Sequence, residues 1–85
     1  MNSQTRMDQR IFQCGLSVET VSVYLLCTGL ADADKDLTLE FLRSMWNGEE
    51  ETLDQGLDIL TKKNILSQVA DDPLCYRIEP AEHWV

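Results

Sequence analysis

Between Leu37 and Leu66 the chain spells a helix, a tight break and a second helix, and everything else has to be arranged around that unit. Leu39, Leu42, Met45 and Trp46 recur at the spacing of one helical face. Thr38 stands just before them, where a hydroxyl can accept an orphan backbone N–H. Asn47-Gly48 interrupts the pattern with two residues that tolerate positive φ. A second run, Glu49 to Lys63, places Leu53, Gly56, Leu57 and Leu60 on one face. Its glutamates lie at the start and its lysines at the end, the order that suits a helix dipole. Asn64 is placed to close it in the left-handed conformation, and Ile65-Leu66 returns the chain to the core.

The residues before and after this unit extend the pattern. Ser17 is a good N-cap for a helix from Val18 to about Thr28, with Gly29 as its stop. Val18, Val21, Leu25 and Thr28 form its expected buried face, and Tyr24, Leu26 and Cys27 make it apolar over much of its girth. From Ile65 the period changes to two. Residues 65–70 and 74–79 read as strands, with Asp71-Asp72-Pro73 as the turn between them. Arg6 to Cys14 reads as a short extra helix, too short to stand alone in water.

Leu37 to Leu42, the leucines at 53, 57 and 60, and Lys63-Asn64-Ile65-Leu66 together resemble a helix-turn-helix. With a hairpin following, the resemblance is to the winged helix-turn-helix superfamily, and it covers residues 17–79. It implies a mainly α fold with a small β-hairpin: three core helices, a short N-terminal helix and a two-stranded wing. One domain is expected over residues 1–85, with 1–5 loose, 6–14 the extra helix, 17–79 the core and 80–85 a tail. The resemblance also implies that the second helix of the pair is a probing element, and that an extra terminal helix can build a dimer.

Charge then redirects the functional reading. Seven Lys and Arg face fifteen Asp and Glu, for a net charge of −8. In a helix-turn-helix the N-terminal residues of the second helix lead into the major groove. Here those residues are Glu49, Glu50, Glu51 and Thr52, followed on the outward face by Asp54, Gln55, Asp58, Thr61 and Lys62. One acid in a recognition helix can accept from cytosine, but five would be pushed against phosphates. The repulsion would cost several times a base contact of roughly 1–3 kcal/mol. Arg77, Lys62 and Lys63 are too few to offset it by counterion release. The expectation is therefore a non-catalytic adaptor or regulatory subunit that meets a protein partner of basic character. The surface expected to carry it is Trp46, Glu50, Glu51, Asp54, Gln55, Asp58, Lys62, Tyr76 and Arg77. The alternative is a DNA-binding transcriptional regulator that forms a homodimer through residues 6–14. Trp46, Trp84, Phe12 and Tyr76 are of the types that anchor interfaces, and equally of the types that fill a core.

Other chemistries find less support. Asp32-Ala33-Asp34-Lys35-Asp36 begins like a calcium loop, but Leu37 stands where the turn needs glycine and Arg43 where it needs a bidentate glutamate. A solvated loop, with Asp36 or Thr38 capping the next helix, is expected instead. Cys14, Cys27, Cys75 and His83 are zinc-ligand types without zinc spacing, and an odd cysteine count argues against a disulfide framework. No nucleophile elbow, phosphate loop or HExxH motif is present, so no cofactor and no enzyme are expected. Met1 to Arg10 is polar, and no apolar run approaches a membrane span, so the expected compartment is the cytoplasm.

Overall fold

The computed structural model describes residues 9–71 and 74–85. Three helices form the body: α1 (Val18–Asp32), α2 (Leu39–Met45) and α3 (Glu50–Lys62). Three strands close one side: β1 (Leu37–Thr38), β2 (Leu66–Asp71) and β3 (Leu74–Ile78), antiparallel in the order β1-β3-β2. This is a winged-helix-like layout with three strands where two were expected. The extra strand was hidden because two residues are too few to show alternation. Leu37 pairs with Tyr76 and Thr38 with Cys75, so the lead-in to α2 is stitched to β3.

α1 starts where Ser17 predicts, its hydroxyl accepting from the Thr20 N–H at 3.2 Å. It does not stop at Gly29. It runs on to Asp32 and ends where Asp34 takes a φ of 60°. The Lys35 N–H bonds the Leu30 carbonyl at 2.9 Å and the Asp34 N–H bonds that of Ala31 at 3.0 Å, a Schellman closure. The extension carries Leu30 into the core. The buried face matches the expected one only at Thr28. Val23, Tyr24, Cys27 and Leu30 point inward with Thr20 and Thr28, whereas Val18 is 79% exposed and Leu25 also lies at the surface. A helix that is apolar over much of its girth carries little periodic signal, so its neighbour decides which side is covered. That neighbour is α3. A Cβ on Gly56 would stand 2.7 Å from Val23 Cγ2, so the missing side chain is what lets the two helices meet there.

α2 is capped by Thr38, whose Oγ1 accepts from the Phe41 N–H at 3.1 Å. Leu42 is fully buried, but Met45 is 52% exposed, contrary to the expected face. The chain leaves the helix at Met45, and Trp46 is extended at φ −78°, ψ 129°. The break at Asn47-Gly48 is present without a left-handed residue; among the described residues only Gly15, Asp34 and Asn64 have positive φ. The Trp46 indole folds over Gly48 and donates to the Glu49 carbonyl at 3.0 Å. A Cβ at Gly48 would lie 2.9 Å from that indole nitrogen, so glycine serves close approach here.

α3 buries Leu53, Gly56, Leu57 and Leu60, the expected stripe. Asn64, at φ 59°, ends it in a second Schellman closure, with the Ile65 N–H on the Leu60 carbonyl at 2.9 Å. β2 then pairs with β3 from Leu66↔Ile78 to Asp71↔Leu74, with a bulge at Val69 between Gln68 and Ala70. Asp72 and Pro73 of the expected turn, the expected loose start at 1–5 and residues 6–8 of the expected extra helix lie outside the described residues. The described remainder of that helix is a five-residue 3₁₀ turn, Gln9–Gln13, which plugs Ile11 fully into the core and leaves Phe12 outside.

Candidate acidic groove and its surroundings

The outward side of α3 carries Glu50, Glu51, Asp54, Gln55 and Asp58, all exposed. The Leu53/Leu57/Leu60 stripe enforces this, because burying one face of a 3.6-residue helix turns the intervening positions to water. Residues 50, 54 and 58 follow at four-residue steps, a row with a rise of about 6 Å per step.

Three of the four cations that could have made this side positive are taken up by carboxylates of the same chain. The Arg43 guanidinium reaches from α2 to Asp54 at 3.3 Å. Lys62 Nζ lies 3.0 Å from Asp58, one turn earlier on α3. Arg77 Nε lies 3.2 Å from Glu79. No basic stripe is left on α3; its outward row stays acidic.

Between α2, α3 and the β2–β3 hairpin runs an open groove of about 280 Å³. Leu39, Leu57, Leu74 and the Tyr76 ring supply its apolar lining, and Asp54, Asp58 and Arg43 its charged edge. Burial first, and then the Asp54 carboxylate, push the Tyr76 phenol above its ordinary value, so the ring is neutral and can only donate or accept a hydrogen bond. The structure thus brings together Asp54, Asp58 and Tyr76 of the surface expected from sequence. Gln55 lines a different shallow groove, between α1 and α3. Arg77 faces the acidic loop after α1, and Trp46 belongs to the α2–α3 turn. The side chain sequence reasoning did not place is Arg43. Its partner lies eleven residues away on another helix, and no local spacing signals that pairing.

A second carboxylate is used quite differently. Glu79 accepts from Ser67 Oγ at 2.5 Å and Arg77 Nε at 3.2 Å, and its other oxygen lies 3.1 Å from His83 Nδ1. The Ser67 bond, then the His83 bond and then Arg77 hold its carboxyl at about 2. Its backbone is equally engaged: the Glu79 N–H bonds the Ile65 carbonyl at 2.9 Å and its own carbonyl accepts from Trp84 Nε1 at 3.0 Å. Trp84 then sets its ring edge-on to the fully buried Tyr24, centroids 5.9 Å apart. The Val85 N–H bonds the Lys63 carbonyl at 2.9 Å. The tail expected at 80–85 is therefore folded onto the domain.

Cys14, Cys27 and Cys75 are unpaired, and burial pushes the Cys27 thiol up to about 12, which keeps it an inert core group. Among the described residues no three His, Cys, Asp or Glu side chains converge to hold a metal ion, and no helix is long and apolar enough to cross a membrane. Thr38 caps α2, while the loop 33–36 is exposed. Compared with protein-family models, with curated proteins and with solved structures, the chain shows no significant match.

Proposed function

We propose that this chain is a winged-helix module without chemistry of its own, an adaptor or regulatory subunit whose α3 face meets a basic protein. The observation that carries the reading is the ion pairing around α3. Arg43 and Lys62 each lie against an aspartate of the helix itself, and Arg77 against Glu79, so these three cations form no basic stripe along α3 to meet phosphates. Nucleic-acid binding draws most of its strength from cations that release counterions. A surface whose Arg43 and Lys62 are set against Asp54 and Asp58, and which exposes Glu50 and Glu51 besides, suits a target of opposite charge. Three unpaired cysteines fit the reducing conditions of the cytoplasm, where the module is proposed to act.

The layout by itself would also suit a dimeric DNA reader, with residues 6–14 as the dimer element. Ile11, near the centre of that element, is already committed to the chain's own core, which leaves Phe12 as its main outward apolar group among the described residues.

Affinity capture with two baits tests the proposal. The wild-type chain should retain a basic protein that is lost when Glu50, Glu51, Asp54 and Asp58 are replaced together by Gln and Asn. Capture that is indifferent to those four residues would count against the proposal, as would retention of nucleic acid by the wild type alone.

A further inference from the structure

We infer that the groove between α2, α3 and the hairpin receives an arginine side chain from an amphipathic segment of the partner protein. The inference rests on the proposed function and names how the basic partner is gripped. The lining is divided in the way an arginine is divided. Leu39, Leu57 and Tyr76 line it with apolar and aromatic side chains, the kinds that take an aliphatic stem and a guanidinium. Asp54 and Asp58, one turn apart on α3, stand at the edge where the charged head would end.

The chain already shows what this edge does with a guanidinium. Arg43 lies there with one nitrogen 3.3 and 3.4 Å from the two oxygens of Asp54. That pair is open to solvent, as is Lys62 with Asp58, so both can be exchanged for an incoming cation at little cost. A planar fork suits such carboxylates better than an ammonium does. The volume, about 280 Å³, fits one long side chain and is open to water, so it favours a segment lying across it over an enclosed small molecule. A second copy of this chain would bring another −8, and anionic lipid or nucleic acid would be repelled alike.

The test is a titration of the isotopically labelled chain with a synthetic amphipathic helical peptide carrying arginines and leucines, followed by amide shifts. Any polyanion attracts a polycation, so the readout is the contrast between charge-matched variants. D54N/D58N should weaken binding about tenfold, while D34N/D36N, which removes the same charge from the loop after α1, should change it less than about twofold. Shifts should centre on Leu39, Leu57 and Tyr76. Arg43→Gln, by freeing Asp54, should tighten binding, whereas Lys35→Gln, equal in charge, should not. Equal losses in the two aspartate pairs, or shifts away from the groove, would overturn the inference. If the peptide misses the groove but capture of a basic protein still depends on Glu50 and Glu51, the inference falls and the proposed function stands. If duplex DNA binds α3, both fall.

Discussion

Glu79 and the aspartates of α3 are the same functional group put to opposite uses. Glu79 is 13% exposed, is ringed by three donors and has its own backbone bonded on both sides. It ties β2, β3 and the 80–85 segment together. Asp54 and Asp58 sit on an exposed helix face, each with one solvated cation for company. The contrast teaches that a carboxylate's role follows from how many fixed donors surround it. Many donors make it part of the fold, and one mobile partner leaves it available.

The sharpest way to break the comparison is at the tail. Trp84→Ala removes the edge contact with Tyr24 and the bond to the Glu79 carbonyl, and should cost about 3 kcal/mol in urea unfolding. A loss below about 0.5 kcal/mol would mean that the segment is not part of the fold. Next comes Glu79→Gln, read by pH. The folded carboxyl sits at about 2, below its ordinary 4.5, so between those values the unfolded chain binds more protons. Its contribution should be complete above about 4.5 and be lost as the pH falls through 2. In the variant, melting curves across that window should lose this acid-side slope. An unchanged slope would show that the three donors do not act on it.

Gly48→Ala tests the α2–α3 turn, since the new Cβ pushes against the Trp46 indole and its bond to Glu49. It should cost about 1 kcal/mol and shift the Trp46 amide and indole resonances. The smallest effect is expected at the other pole of the comparison. Asp54→Asn and Asp58→Asn should each change stability by under about 1 kcal/mol, because exposed pairs contribute little. A larger loss by chemical denaturation would show that these acids hold the fold together in the way Glu79 does.

How far the sequence could be read followed from the same logic of surroundings. The α3 stripe was legible because one face is apolar and the other charged, so periodicity carries the whole message. Both capping hydroxyls, Ser17 and Thr38, and the left-handed Asn64 were legible because caps are local chemistry. The buried face of α1 was not, because Val18, Val21 and Leu25 are as apolar as the residues that went inside. There the choice was made by Gly56 on another helix. β1 was too short to announce itself, and Arg43–Asp54 joins two helices across a distance that only the fold creates. For the candidate groove, the acids were visible in advance, but the apolar lining that makes them more than a solvated face was not.

The central claim, that α3 faces a basic protein and not a phosphate backbone, is tested most directly by anisotropy of a labelled random-sequence duplex titrated with the purified chain at low salt. The claim predicts no saturable rise in the range typical of non-specific DNA binding, about 10⁻⁴ to 10⁻⁶ M. A saturable rise in that range that collapses as salt is added would contradict it.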